Sequence, residues 1–179
     1  TELNFFVMKI ILCGYMGSGK SSIGLRLAES AHFNFQDLDN FISKLDSRSI
    51  RDIFSESGEV YFRKLERQAL EQLLLLEEDT VIALGGGTPC YGTNLDFILA
   101  QPDVQLIYLK ANIGTLAERL QSNSTSRPLL SDLMTENVRT EFIAKHLFER
   151  SFYYEQAHHI VRVDSKTKEE VIRECTRLF

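Results

Sequence analysis

One segment constrains this chain more than any other, the run GYMGSGKS at residues 14–21, which follows a short apolar stretch at residues 7–13. The run matches the GxxxxGK[ST] pattern completely and lies between a predicted buried strand and a predicted helix, where that pattern works. Glycines let the backbone curl so that several N–H groups face one anion, and the N-terminus of the next helix adds more. The segment predicts a phosphate-binding loop for a nucleoside triphosphate; the alternative is an ordinary glycine-rich turn.

Individual loop residues have distinct expected tasks. Lys20 is expected to bridge the β- and γ-phosphates, and the Ser21 hydroxyl to ligate Mg²⁺. The other residues expected to contact the nucleotide are Gly14, Gly17, Ser18 and Gly19. This motif identifies the donor of a phosphate group and leaves the acceptor open.

Composition excludes several classes of protein. The chain has 179 residues, 44% of them hydrophobic, and a formal net charge of -5, which is typical of a globular protein. The acidity disfavours a general nucleic-acid binder. No stretch approaches the roughly 20 apolar residues that cross a bilayer. We therefore expect a single domain over residues 1–179, a monomer, with no nucleic acid and no membrane as partner.

The cysteines and the chain start indicate the compartment. Cys13, Cys90 and Cys175 have no metal-ligand spacing and are odd in number, as in a reduced protein. The first residues include Glu2 and no basic stretch, so we expect no signal peptide there. A cytoplasmic location is the simplest interpretation.

Five short apolar segments alternate with helical patterns along the chain. The predicted strands are residues 7–13, 33–37, 80–84, 104–109 and 160–163. The predicted helices are residues 19–31, 59–77 and 111–121, one around 138–147, and one capped by Thr167 with Glu170; Ser49 with Asp52 is a second capping pair. The pattern predicts an α/β fold, a three-layer α/β/α sandwich of the P-loop NTPase type around a five-stranded parallel sheet.

Two carboxylates follow the second predicted strand. Asp37 and Asp39 flank Leu38, and residues two apart in an extended chain point to one side. At a strand's carboxyl end they would face the crevice where open α/β sheets bind ligands. One could hold magnesium through water and the other accept a hydroxyl proton; the alternative is that Asp39 only caps the next helix.

Further residues could recognise the acceptor. Arg63, Arg127 and Arg150 are each either a surface cation or a clamp for a planar carboxylate or phosphate. The glycines at residues 85–87 form either a flexible turn or a place where backbone approaches a small ligand closely. The polar residues 122–126 are expected to form a mobile lid.

Eight features occur in one order along the chain. They are the phosphate loop, DLD at 37–39, SRSIRDIF at 47–54, SGE at 57–59, FRKLE at 62–66, GGG at 85–87, RPLL at 127–130, and Arg150. With this set the chain resembles shikimate kinase over nearly its whole length. The resemblance implies ATP-dependent phosphorylation of the shikimate 3-hydroxyl, giving shikimate 3-phosphate and ADP on the route to chorismate and aromatic amino acids. It implies ATP and shikimate as small-molecule substrates and Mg²⁺ as cofactor.

The resemblance also implies catalytic roles. Asp37 would bind magnesium through water, and Asp39 would hydrogen-bond the reacting hydroxyl as base or orienting group. Arg127 would stabilise charge on the transferring phosphoryl group from a lid at about residues 119–132. Lys20, Asp39 and Arg127 are thus the expected catalytic residues.

Shikimate itself would bind in a helical segment at about residues 38–66 and at the triple glycine. Arg63 and Arg150 would hold its carboxylate, and Glu66 would support Arg63 through an ion pair. The other implied contacts are Asp39, Gly85, Gly86 and Gly87 for the hydroxyls, Phe54 and Phe62 for the apolar side of the ring, and, for ATP, Arg119 near adenine and Arg127.

Two alternatives stay open, and one residue departs from the family pattern. Another small-molecule kinase of this fold, such as a gluconate or nucleoside-monophosphate kinase, would share the loop but not the set of Arg63, triple glycine and Arg127. A non-catalytic nucleotide-binding or GTP-switch module is disfavoured, because the chain has no Asn-Lys-x-Asp sequence and retains both aspartates. The family commonly has a proline where Phe152 stands, so we expect the helix to run on past Arg150.

Overall fold

Five parallel strands form a central sheet in the computed structural model, which describes residues 7–122 and 135–179. The strands are β1 Lys9–Cys13, β2 Asn34–Asp37, β3 Thr80–Ala83, β4 Val104–Lys110 and β5 His159–Arg162, in the order β2-β3-β1-β4-β5. From β1 the chain passes first to β2 and β3 on one side of it, and later to β4 and β5 on the other side. The carboxyl end of β1 therefore lies at a switch point, where open α/β sheets bind ligands, and the predicted α/β fold is confirmed.

Helices cover this sheet. They are α1 Lys20–Ala31, α2 Leu38–Asp46, α3 Ile50–Leu74, α4 Asn94–Leu99, α5 Ile113–Ser122, α6 Glu136–Tyr154 and α7 Lys168–Thr176, with a 3₁₀ turn at Thr88–Cys90. Both predicted capping pairs are present. The Ser49 side chain accepts a hydrogen bond from the Asp52 N–H, and Thr167 and Glu170 form a reciprocal capping box. Within the two described ranges, none of these helices is both long and apolar enough to cross a membrane.

The helix boundaries differ from the prediction at α3. The helix predicted over residues 59–77 is wrong at both ends, since α3 spans Ile50–Leu74. Gly58 has φ 79° and ψ 174°, a conformation that glycine adopts without steric cost, so the chain kinks there and continues as helix. By contrast, α6 runs beyond Arg150 to Tyr154 as expected, because Phe152 leaves the helical hydrogen bonds intact where proline would remove one.

The core lies on both faces of β1. Ile10, Ile11 and Leu12 are each 0% exposed, and Leu12 pairs with Ala83 of β3 and Ile107 of β4. This burial fixes the position of the strand from which the phosphate loop starts. The nearly continuous apolar run in the sequence reflects that two-sided burial.

Truncating the central strand should cost far more stability than truncating a surface leucine. We expect Leu12→Ala to lower the free energy of unfolding by about 2–5 kcal/mol, because the change leaves a cavity between sheet and helices. Leu75, 79% exposed at the end of α3, is the matched control. Leu75→Ala should change the free energy of unfolding by about 0.5 kcal/mol or less. Urea denaturation followed by far-UV circular dichroism measures both, and equal effects would contradict this description of the core.

Candidate active site

The phosphate loop connects β1 to α1 and depends on its glycines. Gly14, Gly17 and Gly19 have φ values of 144°, 85° and 102°, which other residues rarely adopt. A Cβ atom added to Gly14 would also lie 2.7 Å from the Leu109 carbonyl oxygen. The loop conformation is therefore specified by glycine at these positions.

Two cationic side chains donate hydrogen bonds to carbonyl oxygens of the loop. Lys20 is 9% exposed, and its Nζ donates hydrogen bonds to the carbonyl oxygens of Gly14 (2.8 Å) and Tyr15 (3.1 Å). Arg119 in α5 donates to two further loop carbonyls, at 3.1 and 3.3 Å. Both side chains bring positive charge to a backbone loop that already exposes N–H groups to an anion.

A cavity of about 400 Å³ lies beside the loop. Its lining includes Arg119, Val163, Lys166 and Lys168 as well as loop residues. Lys166 lies just before α7 and Lys168 is the first residue of that helix, and no sequence motif assigned either lysine to the site. Their positive charges suit the remainder of a nucleotide bound at the loop.

Ser21 and Asp37 form the candidate magnesium site. The Ser21 hydroxyl donates to Asp37 Oδ2 at 2.6 Å, while Asp37 Oδ1 accepts from the Asn40 N–H at 3.1 Å. A hydroxyl and a carboxylate are the oxygen ligands that Mg²⁺ prefers, with nucleotide phosphates and water completing the shell. In residues 7–122 and 135–179 no three His, Cys, Asp or Glu side chains cluster as a metal site.

The helix cap is Asp37 and not Asp39. Asp37 is the N-cap of α2, and Asp39 lies within its first turn. The expectation that both aspartates share one side of an extended chain is wrong, because the chain becomes helical at Leu38. Asp39 is thus free of the capping role that the sequence left open.

Asp39 has an unusual acidity. Burial, together with the negative charges of Asp37 and Glu66, raises the pKa of its carboxyl to about 6, against the opposing effect of Lys20 and Arg63. A carboxylate with a pKa near neutrality is suited to accept and return a proton. The predicted acceptor-side carboxylate therefore has a fitting environment.

The triple glycine is where the acceptor-side residues converge. A Cβ atom on the first glycine of residues 85–87 would lie 3.0 Å from Asp39 Oδ1. On the second it would lie 3.3 Å from Arg150 Nη1, and on the third 3.0 Å from Arg63 Nη2. None of the three has a positive φ, so the effect of glycine here is to leave space for these side chains and not to allow a special backbone conformation.

Arg63 is held by a buried carboxylate and an aromatic ring. Its Nη1 donates to Glu66 at 2.9 Å, and Glu66, 1% exposed, also accepts from the Thr88 hydroxyl at 2.7 Å. Glu59 adds a weaker contact at 3.3 Å. The Tyr91 ring lies 3.6 Å from the guanidinium carbon, a contact that no motif in the sequence indicates. Together these groups fix the plane of the guanidinium.

Arg150 faces the same glycines from α6. Its guanidinium carbon lies 5.9 Å from the centre of the Tyr15 ring. One turn later, the Tyr154 hydroxyl donates to the Gly86 carbonyl at 2.5 Å. Phe152 is 71% exposed, so the residue that departs from the family pattern points away from the site.

Phe54 and Phe62 lie together on α3. Their ring centres are 4.4 Å apart, with Phe62 buried and Phe54 at 37% exposure. The pair forms an apolar wall next to Arg63, whose guanidinium carbon is 5.0 Å from the Phe62 ring. Arg127 and the predicted lid residues 123–132 lie outside the described residues.

Comparisons with known proteins agree on one family. The sequence model of the family described as shikimate kinase matches residues 16–179. The shikimate kinase of Flavobacterium johnsoniae is 48% identical over 166 residues, which cover 93% of this chain and 95% of the relative.

Solved structures give the same result. The chain is similar to the shikimate kinase of Bacteroides thetaiotaomicron with a TM-score of 0.87 and 30% identity, covering 96% of this chain and 97% of the other. It is similar to that of Acinetobacter baumannii, solved in complex with shikimate, with a TM-score of 0.83 and 28% identity over 96% and 92% of the two chains.

We expect Asp39 to titrate near pH 6 in the nucleotide-free protein, well above the ordinary value of about 3.9 for aspartate. Below that pH the carboxyl is protonated, and above it the carboxylate is ionised. The carboxyl-carbon NMR shift, assigned through its loss in Asp39→Asn, measures the midpoint. A midpoint near 4 would show that burial and the neighbouring charges do not control this group.

Proposed function

The chain belongs to the shikimate kinase family, and from this premise we propose how its own residues carry out the reaction. It transfers the γ-phosphoryl group of ATP to the 3-hydroxyl of shikimate, giving shikimate 3-phosphate and ADP. The observation that carries our residue assignment is the convergence of Asp39, Arg63 and Arg150 on residues 85–87, beside the phosphate loop.

Lys20 and the loop backbone bind the phosphates of ATP. In support, the Lys20 ammonium is already buried and donates to two loop carbonyls. When a phosphate binds, its charged oxygen can take the place of a neutral carbonyl as hydrogen-bond acceptor, which strengthens the bond. Gly14, Gly17, Ser18 and Gly19 contribute through the loop backbone. Arg119 contacts the nucleotide from the cavity that it lines.

Ser21 and Asp37 would hold Mg²⁺, the hydroxyl as a ligand and the carboxylate, as the family resemblance implies, through water. Support comes from their 2.6 Å hydrogen bond, which brings two hard oxygen ligands together. When bound, the metal ion would neutralise negative charge on the nucleotide phosphates. Orienting the acceptor and taking up its proton are the tasks of the acceptor-side residues.

Arg63 and Arg150 grip the shikimate carboxylate, because planar guanidinium groups match carboxylates in two places. The glycine backbone at residues 85–87 receives the hydroxyls, and Phe54 with Phe62 covers the apolar side of the ring. The ion pair with Glu66 keeps Arg63 charged and oriented in a partly buried position. Orienting the reacting groups before the reaction, together with electrostatic stabilisation, is the main contribution an enzyme makes to phosphoryl transfer.

Asp39 accepts the proton of the reacting hydroxyl. With a pKa of about 6 it is largely ionised at neutral pH. As the hydroxyl oxygen bonds to the γ-phosphorus, its proton passes to Asp39 and the bond to the bridging oxygen of ADP breaks. Arg127, by family resemblance, stabilises charge on the group in transfer.

The wider setting is also a proposal. The enzyme acts on small molecules as a monomer in the cytoplasm, with neither nucleic acid nor membrane as partner. The composition supports this, with a net charge of -5 and cysteines in no ligand-like spacing.

The direct test is ADP release from Mg-ATP with and without shikimate, with Lys20→Ala as the blank. We expect a large shikimate-dependent rate that the blank lacks. Gluconate and nucleoside monophosphates serve as rival acceptors. ATP binding without a shikimate response, or a faster rate with a rival acceptor, would contradict the function.

Removing the Arg63 guanidinium should weaken shikimate binding by about 2–5 kcal/mol, the usual loss when one partner of a buried charge pair is truncated. The change is Arg63→Ala, measured by isothermal titration calorimetry. Arg67→Ala is the matched control, because Arg67 lies one turn later on α3 and pairs with Glu71 at 2.7 Å. Unchanged affinity in a folded Arg63→Ala protein would remove Arg63 from the carboxylate site.

A further inference from the structure

One face of α6 touches both catalytic loops. His146, Arg150 and Tyr154 follow each other at intervals of four, so they lie on one side of the helix. His146 Nδ1 is 3.0 Å from the Tyr15 hydroxyl in the phosphate loop, and the Tyr154 hydroxyl donates to the Gly86 carbonyl at 2.5 Å. Arg150 therefore sits between two hydrogen-bonded anchors, one turn to either side.

Tyr15 connects the nucleotide side of the site to α6. It occupies a variable position of the loop pattern, yet it is 1% exposed. Its carbonyl oxygen accepts a hydrogen bond from Lys20 Nζ at 3.1 Å. Its ring meets the His146 ring edge-on, with centres 5.5 Å apart, and lies 5.9 Å from the Arg150 guanidinium carbon. Tyr15 thus contacts Lys20 through its backbone carbonyl, and His146 and Arg150 through its side chain.

The protonation states of the two side chains suit a hydrogen bond in which the Tyr15 hydroxyl donates and His146 accepts. Burial raises the pKa of Tyr15 to about 12, so the phenol keeps its proton at neutral pH. Burial, together with the positive charge of Arg150, lowers the pKa of His146. A neutral imidazole can accept, at Nδ1, a hydrogen bond from the phenolic O–H. Phe142, whose ring centre lies 5.4 Å from that of His146, packs beside the pair.

We propose that Tyr15 and His146 are a positioning pair, whose hydrogen bond holds α6 on the phosphate loop and so sets where the Arg150 guanidinium meets the substrate carboxylate. The inference rests on the proposed role of Arg150. It assigns a task to two residues that neither the loop motif nor the shikimate-binding residues include.

Because the Tyr154–Gly86 hydrogen bond is a second anchor of α6, we expect loss of the Tyr15–His146 bond to affect substrate binding more than folding. When the bond to Tyr15 is lost, Tyr154 still attaches the helix to Gly86. The helix stays docked, but the turn that precedes Arg150 loses its fixed point. A small displacement of a substrate-holding group is enough to weaken binding, because bidentate contacts tolerate little misalignment.

The experiment removes the hydrogen bond from each side. Tyr15→Phe and His146→Phe should each raise the KM for shikimate about three- to tenfold, the effect of one net hydrogen bond. The double variant should be no worse than either single variant, because both remove the same bond. The KM for ATP and the kcat should stay within about twofold, since a hydrogen bond of this strength acts locally.

Two variants separate positioning from general packing. His146→Asn places an amide oxygen near the former Nδ1 position and should recover most of the lost shikimate affinity. Tyr153→Phe removes a neighbouring hydroxyl on α6 that makes no hydrogen bond in the described part of the chain, and it should change no kinetic constant. Failure of His146→Asn to recover affinity, or an equal effect of Tyr153→Phe, would overturn the assignment.

An Arg150→Gln background distinguishes this inference from the function on which it rests. Tyr15→Phe should raise the KM for shikimate in the wild-type background and add nothing in Arg150→Gln. If Arg150→Gln alone leaves the KM unchanged, the proposed role of Arg150 fails and the inference with it. If Arg150→Gln weakens binding but Tyr15→Phe does not, or if Tyr15→Phe weakens both backgrounds equally, only the positioning pair is overturned.

Discussion

The parallel pairing of β1 with β3 is the interaction on which the site depends. The two strands are in register from Lys9 with Thr80 to Leu12 with Ala83, and the Leu84 N–H extends the ladder to the Leu12 carbonyl at 3.0 Å. Both strands then end at the same edge of the sheet and turn into the phosphate loop and the triple glycine. Because the strands are buried on both faces, these loops have little freedom to separate. Donor and acceptor are thereby brought within reach of each other.

Charge balance around the glycines follows from this placement. Burial, together with the negative charges of Asp37 and Glu66, raises the pKa of Asp39. Glu66 is accommodated in a buried position because Arg63 and Thr88 satisfy its oxygens. The result is a carboxylate with a pKa near neutrality next to arginines that attract an anionic substrate. This combination suits a polyol that carries a carboxylate and must lose a hydroxyl proton.

Local sequence patterns account for a large part of this protein. Residues 14–21 predicted the loop, since glycine conformations and the strand–loop–helix order depend only on adjacent residues. The apolar runs predicted all five strands and hence the α/β fold. The caps at Ser49 and Thr167 involve partners three residues away, so they too are readable from the sequence. Phe152 in place of proline predicted that α6 continues. The local pattern around Arg63, Arg127 and Arg150 is compatible with ordinary surface cations, so their roles came from the family resemblance.

Tertiary structure decided what depends on contacts between distant parts of the chain. That Asp37 caps α2, which frees Asp39, follows from where β2 ends against its neighbour. The stacking of Tyr91 on Arg63 and the contact of Tyr15 with His146 join residues separated by 28 and 131 positions along the chain. A tyrosine carries no local sign of the partner it will meet, because packing selects among many surfaces of similar chemistry. The sequence therefore determined which groups are available and the elements that carry them, and the packing of those elements decided which groups act together.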